Sequence, residues 1–261
     1  LQKSLGVCRD YIDSSKKIFV GIYGSLPHRY LATIEKHEAR LLRVRHGANW
    51  KKYANHILQR LDNELDLRRR SFKTDKHRTY ARVHNVKASM YITMGRFDDA
   101  LLEAQAALIK VSDLSPKYSS DFSRNPLVKE LLGHMSPTQQ LKALYNKGRA
   151  FVEKYRIAES GLPYLENALA TIHTGLSYIQ KLLQAFNSDE ARMVLIDQTR
   201  PLHELLIELL LLTYNLKKKL KKQTPEQFVK SYRPTSYVTR LCSKLVENGR
   251  CTLARISLKI L

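Results

Sequence analysis

Chain breakers are scarce in this sequence. Its 261 residues include 10 glycines and 8 prolines, about 7% together where an average chain carries roughly 12%. That shortage counts against a β-sandwich, a barrel or a glycine-rich nucleotide-binding fold, and neither a P-loop nor a G-x-G-x-x-G run is present. Cysteine is nearly missing too. Cys8, Cys242 and Cys251 are too few and too scattered for a disulfide framework, so a reducing, cytoplasmic setting is the default expectation. No apolar run is long enough to span a bilayer. The most apolar one, residues 202–216, is interrupted by His203, Glu204 and Glu208. No signal peptide is visible; the chain opens on Leu1 in what reads as the end of a helix, and is read as a fragment.

Acidic residues are also few. Against 45 Lys and Arg stand 24 Asp and Glu, a net charge of +21. Residues 1–50 carry +5, 51–100 carry +6, 101–150 carry +3, 151–200 carry −1 and 201–261 carry +8. The excess sits at the two ends and draws acidic partners, whether protein, nucleic acid or anionic membrane. The plainer reading is a lysine-rich solvated surface.

Leucine, by contrast, occurs 40 times, and apolar residues recur at helical steps. The clearest stretch is 79–111. Tyr80, Val83, Val86, Tyr91 and Met94 fall near one helical face. Gly95-Arg96 breaks the pattern, and Phe97, Ala100, Leu101, Ala104, Ala107, Leu108 and Val111 form a second face. Ala88, Ala100, Ala104 and Ala107 are small enough for two antiparallel helices to approach closely.

Ala88, Tyr91, Gly95, Phe97, Ala100, Ala104 and Ala107 fall at the spacings of the tetratricopeptide (TPR) signature, with Ser112 where that signature usually has proline. A second copy lies 49 residues upstream, where Tyr23-Gly-Ser-Leu-Pro-His28-Arg29-Tyr-Leu-Ala32 matches Phe72-Lys-Thr-Asp-Lys-His77-Arg78-Thr-Tyr-Ala81. This run resembles the long repeats of the kinesin-light-chain type. Arg29 and Arg78 stand at its usual proline, and Lys73 at its glycine. The upstream copy continues through Ala39, Gly47 and Trp50 to a helix with Ile57, Leu58, Leu61 and Leu65. A third unit follows a polar loop: Leu144, Gly148 and Phe151 on its first helix, a long turn (EKYRIAESGLP), then Ala168, Ile172 and Gly175. A fourth unit pairs the leucine-rich helix ending at Tyr214 with a helix from Tyr237 to about Ile256. Between them lies a lysine-rich linker, 216–234, read as an exposed loop or frayed helix end.

Residues 113–258 carry a second resemblance. It runs through Tyr118, Asn125-Pro126, LKALYNKGRAF, Tyr164-Leu-Glu-Asn-Ala168, Ser188-Asp-Glu-Ala-Arg192, Pro201-Leu-His-Glu-Leu205 and Glu247-Asn-Gly-Arg250. This order is similar to the TPR region that precedes the caspase-like protease domain of bacterial CHAT-domain proteins. Cys251 and Thr252 depart from the Ala-Arg of its last helix. The resemblance implies the regulatory or sensor region of a longer CHAT-type protein.

Chemistry-bearing residues point to no enzyme. Cys242 and Cys251 sit nine apart on a predicted helix with no histidine partner in evident reach, and read as small core residues. His28 and His77 occupy equivalent repeat positions and read as inter-repeat hydrogen bonds or helix caps. Glu204 and Glu208, with His203 adjacent, lack the Glu-x-x-His spacing of a carboxylate metal site and read as a solvated face. No cofactor or metal is expected.

The sequence therefore predicts an all-α chain, a right-handed α-solenoid of TPR-like antiparallel helix pairs. Two repeats occupy 1–112, a polar loop 113–135, and two longer degenerate pairs 136–261. The predicted function is non-catalytic protein–protein interaction: a groove lined by the first helix of each pair, binding a peptide or protein segment, whether acidic or not. Asn85 and Asn146 are the first candidates, because a short amide offers donor and acceptor at low entropic cost. Arg82, Lys87, Lys142 and Arg149 are nearby cations for carboxylates. Gly148 and Ala168 join the structural signature positions. The alternative is RNA binding through the basic surface, although Arg68-Arg69-Arg70 and Lys217 to Lys222 lie on different units and lack interleaved aromatics. No membrane partner is expected.

Overall fold

The computed structural model describes residues 47–221 and a few helical positions among 10–17, apart from short stretches at 73–75, 113, 115–117, 119–120, 133–135 and 159–160. Among the described residues 87% are helical and none forms a strand. After a 3-10 segment at Gly47–Tyr53 come α1 (Ala54–Phe72), α2 (Arg78–Met94), α3 (Phe97–Lys110), the single turn α4 (Val128–Leu131), α5 (Pro137–Ile157), α6 (Leu162–Ala185) and α7 (Asp189–Lys221).

Local chemistry sets the boundaries. His77 is the N-cap of α2, in extended conformation, and its Nδ1 accepts from the Thr79 amide at 3.3 Å. Its ring stacks on Phe72 at the end of α1, centroids 4.3 Å apart. The capping expected of His77 is therefore present, whereas His28 lies outside the described residues. Gly95 ends α2 with φ 78°, a left-handed conformation that costs glycine nothing. Its amide donates to Ile92 O at 3.1 Å and the Arg96 amide to Tyr91 O at 2.9 Å, the paired bonds of a Schellman motif. Asp98 and Asp99 in the first turn of α3 suit the positive end of the helix dipole. Ser188 caps α7, its Oγ accepting from the Ala191 amide at 3.1 Å.

Small residues decide the packing. Ala81, Ala88, Ala100, Ala104 and Ala107 are fully buried, so α2 and α3, joined by a two-residue turn, lie close and antiparallel. In the next pair Gly148 has this role. A Cβ there would stand 2.7 Å from Ile172 Cδ1 on α6 and 3.4 Å from Leu205 Cδ2 on α7. The helices pack in a repeating order: α5 rests on both α2 and α3, α7 rests on both α5 and α6, and α1 rests on α2. One continuous apolar core runs from α2 to α7, and a smaller one joins α1 to α2 through Ile57, Leu58, Leu61, Leu65, Tyr80 and Met90.

Three segments differ from the sequence reading. The long turn of the third unit is short, because residues 153–157 remain helical and only 158–161 separate α5 from α6. The 113–135 stretch, expected as a polar loop, is anchored inward by buried Leu114, Tyr118 and Leu131. The helix expected to end at Tyr214 continues to Lys221, because its lysines and leucines are good helix formers and the next breaker is Pro225. The upstream half of the first repeat, the three cysteines and the predicted 237–256 helix lie outside the described residues.

Candidate functional site

The first helices of successive pairs, α2 and α5, meet along a seam, and the two candidate asparagines are in it. Asn85 is 0% exposed. Its Nδ2 donates to the backbone carbonyl of Gln139 at 3.0 Å and to Gln139 Oε1 at 3.2 Å. Asn146, also buried, donates from Nδ2 to the Asn85 backbone carbonyl at 3.0 Å and to Asn85 Oδ1 at 3.3 Å. Both amides that the sequence assigned to a peptide backbone hold the backbone of a neighbouring helix instead. Their short reach and dual hydrogen-bonding capacity suit either use; the packing of α5 on α2 selects the internal one.

Lys87 is likewise turned inward. Its Nζ contacts Glu103 Oε1 at 2.7 Å and Asp62 Oδ1 at 2.8 Å, and Glu103 Oε2 lies 2.6 Å from His84 Nδ1. Three helices, α1, α2 and α3, contribute to this network. Burial pulls the Lys87 amine down, but Glu103 and Asp62 outweigh it and hold the amine above its ordinary value. Burial likewise pushes the Glu103 carboxyl up, and the bonds from His84 and Lys87 bring it below its ordinary value.

The remaining three cations reach the surface. Arg82 pairs with Glu64, a fully buried carboxylate on α1 that also accepts from Arg68 Nε at 2.7 Å. Lys142 is exposed on α5. Arg149 bonds Glu153 at 2.6 Å and Glu208 of α7 at 2.7 Å, and Arg156 joins the same two carboxylates. Glu208, read as a solvated residue, thus ties α7 to α5, while Glu204 pairs along its own helix with Arg200 at 2.8 Å. Thr138 Oγ1 donates to Gln198 Oε1 at 3.0 Å, so the accessible rows of α5 and α7 lie side by side. Between Lys142 and Arg149, the half-buried Tyr145 completes a face with cations, an aromatic ring and carboxylates at one edge. His203 is buried, its ring bonded to Thr199 O at 3.0 Å, and burial lowers its pKa.

Sequence reasoning missed a second buried network, beneath the 113–135 connector. Lys147, 0% exposed, donates to Gln105 Oε1 at 2.9 Å and to the Arg124 carbonyl at 2.6 Å. Gln105 Nε2 donates to Tyr118 O at 2.7 Å. Gln140 Nε2 donates to Ser112 Oγ, Val111 O and Leu131 O, and Tyr178 OH donates to Gln140 Oε1 at 2.5 Å. A signal existed: Lys147 precedes Gly148 as Lys87 precedes Ala88, so both lysines occupy the position before the small packing residue.

Among the described residues no group of three His, Cys, Asp or Glu is placed to hold a metal ion, and no helix is long and apolar enough to cross a membrane. Comparison of the chain with protein-family models, with curated proteins and with solved structures returned no match.

Proposed function

We propose that this chain is a non-catalytic protein-interaction scaffold, a right-handed TPR-like solenoid that binds an acidic peptide or protein segment along the face of its first helices. The observation that carries the reading is the side-by-side packing of α2, α5 and α7 in a repeating order, which gives an extended face rather than a closed pocket. Because Asn85, Asn146 and Lys87 are committed to the frame, recognition falls first to Lys142 and Tyr145, with Arg149 and Arg82, each already paired to a carboxylate but partly exposed, at the edge. A carboxylate arriving there meets cations that are partly solvated, so it gains charge-assisted hydrogen bonds without full desolvation. Such a scaffold fits a cytoplasmic regulatory region of a longer CHAT-type protein.

The test is a displayed peptide library panned against the chain at two salt concentrations. Enrichment of acidic motifs, weakened severalfold by Lys142→Glu at both salts, supports the proposal. Changing Lys217, Lys218 and Lys219 to Gln should weaken binding chiefly at low salt, as remote charge does. If no peptide is enriched and the chain instead retains RNA in a sequence-selective way, RNA binding replaces this reading.

A further inference from the structure

The connector between the two helix pairs is held by a buried amine that, among the described residues, has no carboxylate within hydrogen-bond reach. Lys147 projects from α5 beneath the connector, and both of its acceptors are neutral: the Gln105 amide on α3 and the Arg124 carbonyl in the connector itself. One side chain thus joins three segments. The bond to Arg124 fixes the connector just before Asn125, whose Oδ1 accepts from Thr171 Oγ1 of α6 at 3.1 Å. Gln105 carries the contact on to Tyr118 O.

Among the described residues, the charged and titratable groups around this amine are otherwise engaged. Asp121 of the connector, partly exposed, is the charge that acts on Lys147, and it already bonds the Arg124 side chain at 2.8 Å and Ser123. Glu103 on α3 serves His84 and Lys87. Glu130 accepts from Tyr118 OH at 2.9 Å and from the Leu127 amide at 2.7 Å. Tyr178 on α6 donates to Gln140. A neutral amine satisfies both acceptors with its two N–H groups and needs no counterion. An ammonium makes the same two bonds, but its charge is offset only by the partly exposed Asp121, beyond hydrogen-bond reach, and a buried charge without a close partner is costly.

We propose that Lys147 is a proton-operated latch: neutral, it pins the connector to α3 and α5, and protonated, it favours opening of the connector to water. Burial lowers the lysine from 10.5 to about 7, which places the change near neutral pH. The sign follows from linkage. Below about pH 7 the lysine is charged whether the connector is closed or open, so the opening equilibrium is insensitive to pH. Between about 7 and 10.5 the open form binds a proton that the closed form does not, so raising the pH favours closure. The limiting slope is about tenfold per pH unit.

The experiment is hydrogen exchange on the whole chain, followed in peptides covering 121–132 and corrected for intrinsic rates, from pH 6 to 9. Protection should be level up to about pH 7, then rise to about thirtyfold by pH 8.5. In Lys147→Met and Lys147→Gln the profile should be flat, while peptides from α6 remain protected in all three proteins. Gln keeps polar donors in the site, so a Met variant that fails to fold leaves the Gln variant to decide. Flat protection in the unmodified chain, or a rise that survives in either folded variant, would overturn the latch.

Discussion

Lys87 and Lys147 stand at the same position of two successive first helices, each just before the small residue on which the pair closes, and both are buried. They are held in opposite ways. Lys87 meets Glu103 and Asp62 and is kept above the ordinary lysine range. Lys147 meets an amide and a carbonyl and is drawn down to about 7. Burial penalises both charges; the partner decides which amine remains an ammonium. The repeated position fixes where the lysine goes, and the neighbouring helix fixes its chemistry: α3 offers Glu103 to one side and Gln105, two residues on, to the other.

The most disruptive way to break this comparison is to remove the partner of the charged lysine. Glu103→Ala should strand Lys87 and His84 in a buried site and cost about 3 kcal/mol, the low end for a broken buried pair because Asp62 remains. Loss of urea stability checks it, and an unchanged midpoint would show that the network carries no energy. Lys147→Met should cost less near neutral pH, about 1–3 kcal/mol, because it strands only neutral acceptors. Ala104→Trp and Gly148→Val test the close packing of the two helix pairs. Each forces extra volume between helices at a cost of about 1–3 kcal/mol, read as a lower melting temperature; an unchanged one would show that the close approach is misplaced.

Smaller effects sharpen the contrast between frame and surface. Asn85→Ala and Asn146→Ala should each lower stability by about 1–2 kcal/mol, since each removes donors from buried helix carbonyls. They should leave peptide affinity nearly unchanged. An affinity loss with full stability would return the asparagines to the ligand. Glu204→Ala breaks one exposed pair with Arg200 and should change stability by less than about 1 kcal/mol.

These expectations also mark what a single sequence conveys. The helix pairs were legible because apolar residues at steps of three and four, a left-handed glycine at 95 and alanines at 100, 104 and 107 all act locally. The capping by His77 was legible for the same reason. The direction in which Asn85 and Asn146 face was not, because it depends on a helix some 60 residues away in the chain. Leu114 and Tyr118 make a single step of four and Leu131 follows thirteen residues later, too few apolar anchors to mark an element, so 113–135 read as a loop. Glu64, a buried carboxylate in a charged stretch, resembles any solvated residue until Arg68 and Arg82 are seen to converge on it.

Opposite protonation of two equivalent lysines is the claim most open to direct measurement. Side-chain carbon NMR on lysine-labelled protein, assigned by Lys87→Arg and Lys147→Gln, would follow both amines from pH 6 to 11. Lys147 should titrate near pH 7 while Lys87 remains protonated beyond 10.5. Two lysines titrating together above pH 10 would contradict it.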